Sequence, residues 1–554
     1  MSMVGGDRCE GSRWRFGCCT DISNTAWLIT FKGTAYCIIT AEQTYYDWRL
    51  RALSKLIFPH DSPACGNGAK NGSCIMMKIA RLALALGLLT SVSAQVYASG
   101  LVLNDNELRN DLSWLSDRGV IQLSLSTWPL SQEEITRALK KAKPSYSSEQ
   151  VVLARINQRL SSLKADFRVS GYTSTDQPGT PQGFAQSQPA DNSLSLAFNN
   201  SGDWWDVHLQ GNVEGGERIS NGSRFNANGA YGAVKFWNQW LSFGQMPQWW
   251  GPGYEGSLIR GDAARPMTGF LMQRAEQAAP ETWWLRWIGP WQYQISASQM
   301  NQYTAVPHAK IIGGRLTFSP FQSLELGASR IMQWGGEGRP QSLSNFWDGF
   351  TGKDNTTAND PNEPGNQLAG FDFKLKLEPT LGLPVSLYGQ MIGEDESGFL
   401  PSANMYLGGV EGHHGWGKDA VNWYVEAHDT RTNMSRTNYS YTHHIYKDGY
   451  YQQGYPLGDA MGGDGQLFAG KVELVTEDNQ RWSTRLVYAK VNPKDQSINK
   501  AFPHADTLKG VQLGWSGDVY KTVRLNTSLW YTNADHSDSD DVGASAGVEI
   551  PFSL

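Results

Sequence analysis

From Phe167 onward, apolar residues recur at every second position in one short segment after another. Trp205, Val207, Leu209, Gly211 and Val213 alternate with Asp206, His208, Gln210 and Asn212. Trp291, Tyr293, Ile295 and Ala297 alternate with Gln292, Gln294, Ser296 and Ser298. The same holds for Phe371, Phe373, Leu375 and Leu377 against Asp372, Lys374 and Lys376, and for Val421, Trp423, Val425 and Ala427 against Asn422, Tyr424, Glu426 and His428. Successive side chains of a strand point to opposite faces, so each segment carries one bulky apolar face and one polar face. A half-solvated soluble sheet also alternates. Tryptophans at the strand ends favour the other case, because they match the interfacial girdles of a membrane barrel. No apolar run reaches about 18 residues, which excludes helical spans. A chain of 554 residues suggests several soluble domains by length. Its abundance of Trp and Gly instead fits a barrel, where only alternate residues face lipid. The formal charge of −6 gives no reason to expect a nucleic-acid partner.

Segments of this kind predict strands at 167–176, 192–199, 203–214, 230–237, 239–247, 280–288, 291–300, 309–318 and 324–334. They continue at 368–378, 384–395, 403–413, 420–430, 466–476, 481–492, 507–517, 522–534 and 542–554. Eighteen strands is an even number, as a bacterial single-chain barrel requires. Short turns (Asn200-Ser-Gly, Gly289-Pro290, Phe321-Gln-Ser, Thr380-Leu-Gly, Asp478-Asn-Gln) alternate with long polar loops. Ala546, Val548, Ile550, Phe552 and Leu554 give the closing strand an apolar face, although such strands usually end on an aromatic. The expected fold is therefore an all-β transmembrane protein, an antiparallel barrel of about 18 strands over 167–554, in the outer membrane of a Gram-negative bacterium.

Residues 99–166 read as three short amphipathic helices, a small bundle on the periplasmic side. Leu108, Leu112 and Leu115 share a face, with Gly119 at a C′ position. Ser131-x-x-Glu134 reads as a capping box before Ile135, Ala138 and Leu139, and Ser147-x-x-Gln150 opens a third helix. Ahead of them, Lys78 and Arg81, the apolar run Leu82 to Leu89 and the ending Val96-Tyr97-Ala98 have the parts of a signal peptide over 76–98. Such a signal makes little sense behind 75 irregular residues, so 1–75 reads as an upstream mis-start. All six cysteines precede Met77, which leaves the exported protein without disulfides.

Other motifs fail on context. Gly251-Pro-Gly253-Tyr-Glu-Gly256 matches a dinucleotide fingerprint, but no parallel βαβ unit surrounds it. Gly543-Ala-Ser545-Ala-Gly547 matches a nucleophile elbow, yet it lies inside the final strand with no His after it. His413-His414 and His443-His444 lack a third ligand at useful spacing, so no metal is expected, and no cofactor. Asp538, Asp540 and Asp541 read as a solvated acidic tip. No paired carboxylates or Ser/His/Asp grouping calls for catalysis.

Three long loops stand out. One runs from Gln248 to about Ala279 with Trp249, Trp250, Tyr254, Arg260 and Arg265. The second, Gly335 to Gln367, carries Arg339, Phe346 and Trp347; the third, Arg431 to Gly465, carries Arg431, Arg436, Tyr439, Tyr441, Tyr446, Tyr450, Tyr451 and Tyr455. Aromatic faces stack on the apolar faces of sugar rings, and guanidinium groups bond hydroxyls and carboxylates. The same residues serve equally well to pack the loops together and plug the barrel.

The stretch Gln248-Trp-Trp-Gly-Pro-Gly-Tyr254, the run Gly449-Tyr-Tyr-Gln-Gln-Gly-Tyr-Pro-Leu-Gly458 and the helical lead beginning Leu103-Asn-Asp resemble the Wzi family of outer-membrane capsule-assembly proteins. The resemblance covers Met76 to Leu554 and none of residues 1–75. It implies an eighteen-stranded barrel occluded by its loops, and a lectin-like, non-enzymatic role in holding group 1-type capsular polysaccharide on the cell surface. Outer-membrane lipid, lipopolysaccharide and the barrel-assembly machinery are the other partners it implies. A diffusion porin is the alternative, since barrels of this size leave a lumen unless something fills it. An outer-membrane enzyme comes third.

Overall fold

The structure, a computed structural model, describes residues 99–554 apart from 220–222, 351–362, 398–399, 521, 537–538 and 554. Of residues 1–98 it describes three short antiparallel strands, Phe16–Cys18, Ala26–Phe31 and Thr34–Ile39, which form a unit of their own. The expected signal peptide, and the rest of the expected upstream extension, lie outside the described residues.

The second unit is a closed antiparallel barrel of eighteen strands. They are β1 Phe167–Ser174, β2 Ala190–Gly202, β3 Trp205–Glu217, β4 Phe225–Asn226 with Tyr231–Phe236, β5 Gln239–Gly244 and β6 Gly269–Arg274. Next come β7 Trp291–Gln299, β8 Lys310–Phe321, β9 Leu324–Trp334, β10 Gly365–Lys376, β11 Val385–Ser397 and β12 Leu400–Trp416. The last are β13 Asp419–Asp429, β14 Gln466–Val475, β15 Arg481–Val491, β16 Asp506–Tyr520, β17 Val523–Ala534 and β18 Ser539–Phe552. β18 closes on β1 with Phe552 opposite Phe167, whose rings stack at 5.4 Å. The alternation read from the sequence sets the faces. Leu194, Leu209, Phe270, Phe371, Phe468 and Leu529 are exposed on the outer wall, while Asp206, His208, Gln294, Asp372, Lys374 and Arg485 are buried inside.

The sixth strand is not 280–288, as expected, but Gly269–Arg274. Thr282 to Ile288 lies in a turn, with a 3-10 segment at Arg286–Ile288 and Trp283, Trp284 and Trp287 exposed. The reason is local. Trp-Trp-Leu-Arg-Trp-Ile has no period of two, whereas Phe270 points outward and Leu271 is 1% exposed. The first long loop therefore ends at residue 268. Strand parity survives because one strand replaces the other.

Three helices precede the barrel, α1 Asn106–Asp117, α2 Gln132–Lys140 and α3 Ser147–Leu163. They sit at the end of the barrel that carries the short turns. Their caps differ from expectation. Ser131 bonds Glu133 (2.7 Å) and not the helix backbone, because Glu134 is drawn to Arg137 and to the Gln277 amide. Ahead of α3 the Glu149 carboxylate accepts from the Ser145 and Tyr146 amides, so the cap position is Tyr146. The helices are also not a freestanding bundle. α1 is buried on nearly every side and lodges inside the barrel mouth. Its polar residues pair with the wall: Asp111 with Arg481 (2.5 Å), Glu107 with Arg524 (2.8 Å) and Asp117 with Lys374 (2.9 Å).

Candidate functional site

Three segments enter the lumen from the long-loop end or cap it there, and they decide what that end of the barrel presents. Residues 245–268 descend until Trp249 and Trp250 form a two-residue antiparallel pairing with Trp128 and Thr127 of the N-terminal segment. The 175–189 loop follows them. Phe184, 1% exposed, packs between Trp128 (5.1 Å) and Trp249 (5.2 Å), and the Arg109 guanidinium lies over its ring at 4.4 Å. The outer loops and the N-terminal helices thus share one apolar cluster in the barrel interior.

Wall residues then fix the descending loop through its backbone. Gln390 accepts from the Leu258 amide (2.7 Å) and donates to the Trp250 carbonyl (2.9 Å). Glu426 accepts the Tyr254 and Glu255 amides at 2.8 and 2.9 Å, and Arg485 pairs with Glu255 at 2.6 Å. Loop backbone needs such partners wherever water is excluded.

The 430–465 loop closes over these segments with tyrosines. Tyr441 donates to the Leu258 carbonyl (2.6 Å), Tyr450 to that of Ile259 (2.8 Å) and Tyr446 to that of Gly335 (3.1 Å). Tyr451 accepts the Gly463 amide at 3.0 Å. A buried ring removes about 150–250 Å² from water, worth roughly 4–6 kcal/mol before conformational entropy. Burial accordingly pushes the Tyr446 hydroxyl up to about 12.

The expected ligand residues divide on this basis. Trp249, Trp250, Tyr254, Arg260, Arg265, Tyr446, Tyr450 and Tyr451 are buried, brought together in the plug. Arg265 pairs with Glu214 (2.5 Å), while Arg260 lies buried beside Tyr450 with no carboxylate partner among the described residues. Arg339 donates to the Glu363 carbonyl (2.6 Å) and Tyr455 is half-buried. Three candidates stay accessible. Trp347, on the helix Leu343–Phe350 (α4), is 60% exposed and stacked on Phe350 at 5.6 Å. Arg436 is exposed with its guanidinium 3.8 Å above the Tyr439 ring, and Arg431, partly exposed, pairs with Asp429 at 2.6 Å. Sequence reading missed Phe184 and Arg109. Their loop and helix carry no pattern that announces a meeting inside a barrel.

One histidine pair gains a third partner, contrary to expectation, and His413 of the other meets two carboxylates. Glu363 reaches His443 (3.1 Å) and His444 (2.9 Å), and Asp117 and Glu411 flank His413 at 3.3 and 3.4 Å. Neither arrangement offers a free set of metal ligands. His443 Nδ1 accepts the Ile445 and Tyr446 amides at 3.2 and 3.3 Å, which leaves the proton on the Nε2 that faces Glu363. Burial, His444 and Arg339 hold this imidazole down to about 3. At the second cluster Lys374 already occupies the carboxylates, 2.9 Å from Asp117 and 2.5 Å from Glu411.

A family model described as capsule assembly protein Wzi matches residues 159–545 of this chain. An uncharacterized 55.8 kDa protein in the cps region of Klebsiella pneumoniae is 88% identical over 504 residues, covering 91% of this chain and 100% of that protein. A solved structure of Wzi, an outer membrane protein involved in group 1 capsule assembly in Escherichia coli and a carbohydrate-binding β-barrel, is 89% identical. It aligns over 82% of this chain and 100% of its own, with a TM-score of 0.79.

Proposed function

The chain belongs to the Wzi family of capsule assembly proteins, and from that premise we propose that it holds group 1-type capsular polysaccharide on the cell surface from the outer membrane. The observation that carries this reading is the sealed lumen. The outer loops turn inward and lock to one another, so the long-loop end offers a surface in place of a pore. Exposed Trp347 and the Arg436–Tyr439 pair give that surface the stacking and charged groups a polysaccharide needs. The carbohydrate binding of the Escherichia coli relative supports the same ligand class. In this reading the short-turn end and the helices of residues 99–166 face the periplasm, after export by the 76–98 signal and insertion by the barrel-assembly machinery. Lipid and lipopolysaccharide surround the outer wall. The protein is a lectin-like retainer without enzymatic activity, and a diffusion porin fits poorly with a lumen plugged by the outer loops.

Cell-bound and free polymer, measured in strains with equal amounts of folded barrel, test the proposal. Each exposed contact is worth about 0–1 kcal/mol, and a long polymer engages many copies at once. Single changes should therefore release little capsule. Combined Trp347→Ala, Arg431→Ala and Arg436→Ala should shed polymer into the medium while total synthesis continues. A fall in total polymer would point to secretion instead, and unchanged retention would move the binding surface elsewhere. Tyr451→Ala serves as the contrasting control, because it leaves a cavity in the plug and should cost about 3–5 kcal/mol of stability.

A further inference from the structure

We propose that the barrel holds a second carbohydrate site inside its lumen, a chamber for a short oligosaccharide entered from the short-turn end. The plug fills only part of the interior. Along the wall made by β1, β2 and β14–β18 lies a cavity of about 520 Å³, within the roughly 300–1,000 Å³ of small-molecule sites.

Its lining selects the ligand class. Sites for apolar ligands are walled mostly by hydrophobic side chains. Here four glutamines of the 175–189 loop (Gln177, Gln182, Gln186 and Gln188) face wall serines such as Ser170 and Ser528 across the space. Amide and hydroxyl groups both donate and accept, which suits a polyhydroxylated molecule. Tyr172 adds one ring on which a sugar face can stack. Arg168 lines the same space and adds a guanidinium group suited to a uronate carboxylate.

The entrance follows from a second recess of about 620 Å³ at the short-turn end, lined by α3, the turns near Asn479 and Thr522 and the chain end near Ser553. The recess and the chamber share Glu107, Arg159 and Arg481. These side chains form the partition, held by Arg159 with Asp105 (2.6 Å) and Glu549 (2.8 Å) and by Arg481 with Asp111 and Glu473 (3.2 Å). Passage between the two requires these side-chain ion pairs to part, while every backbone ladder stays intact.

The ligand class rests on the carbohydrate reading above, but the site is separate from the outer loops, so the two fail separately. The test is calorimetric titration of the purified full-length barrel with maltotriose and with a hyaluronan tetrasaccharide. Ser170→Trp and Ser528→Trp, each placing a ring in the chamber, should weaken binding of whichever probe is taken up at least tenfold. Capture of whole capsular polymer by the outer loops should stay unchanged. Arg168→Gln should weaken the acidic probe more than the neutral one. If either Trp variant loses the heat-modifiable gel mobility of a folded barrel, the other and Arg168→Gln carry the comparison. If all three lose it, a crystal of the wild-type barrel soaked in each probe decides, sugar density in the chamber sustaining the proposal. Failure of wild type to bind either probe, binding untouched by the substitutions, or a soaked crystal showing only ordered water in the chamber would overturn the proposal. Loss of polymer capture with oligosaccharide binding intact would instead count against the outer-surface reading alone.

Discussion

Arg481 in the wall of the barrel lies 2.5 Å from Asp111 on the first helix, although 370 positions separate them in the chain. Asp111 is shared with Arg155 of the third helix at 2.9 Å, so one buried carboxylate ties two helices to one strand. Breaking a buried pair by removing one partner strands the other charge, at a cost of about 3–5 kcal/mol. Asp111→Ala, which orphans two guanidinium groups, should lower the temperature at which the folded barrel band disappears from gels, and more so than Glu107→Ala on the partly exposed side of the same helix. Equal loss from both would show that Asp111 is not the dominant tie, and no loss from either would show that these pairs do not hold the helix in place.

The facing of the wall is tested at two adjacent positions of β3. Leu209 is 45% exposed on the outer face, whereas Gln210 points inward and bonds His208 (3.0 Å) and Asn212 (2.9 Å). Arginine facing lipid near the midplane costs roughly 2–4 kcal/mol in such barrels. Leu209→Arg should therefore reduce the yield of assembled barrel well below that of Gln210→Arg. Comparable yields would reverse the assignment of faces.

A plugged lumen has an electrical consequence. In a planar bilayer the purified protein should carry no steady current, because the 245–268 loop and the first helix meet inside the barrel. Regular conductance steps like those of an open porin of this strand number would show that the plug is not the resting state.

The outer loops should loosen in acid. His443 is held near 3 by burial and by its neighbours His444 and Arg339. In the unfolded loop its ordinary value is about 6.5. The loosened state therefore binds the proton more readily, and the stabilisation, complete above pH 6.5, is lost as pH falls from there toward 3. Well below 6.5 the loss approaches about 1.4 kcal/mol per pH unit. Limited proteolysis of the 430–465 loop should be slow at pH 7.5 and markedly faster at pH 5, and His443→Gln should flatten that difference. A pH-independent rate in the wild type would refute the assignment.

Much of the wall was legible in the amino-acid order, because strand alternation is a local property. Whether Leu209 faces lipid and Gln210 faces the lumen follows from their neighbours in sequence. The one misplaced strand failed for the same reason. Tryptophans gathered at 283, 284 and 287 read as girdle residues of a strand, although without a period of two they belong to an exposed turn.

Tertiary structure alone decided what fills the barrel and which loop residues remain available to a ligand. Tyr450 and Arg436 look alike as candidates in sequence, yet one is fully buried against Ile259 and the other stands in solvent over Tyr439. Glu363 joins His443 and His444, and Phe184 finds Arg109 and Trp249, only because separate loops fold into the same enclosed space. Alternation is imposed on each strand by the lipid on one side and the polar lumen on the other, so it is written residue by residue. The inward fold of the loops is imposed by contacts between segments far apart in the chain, which leave no period in either one.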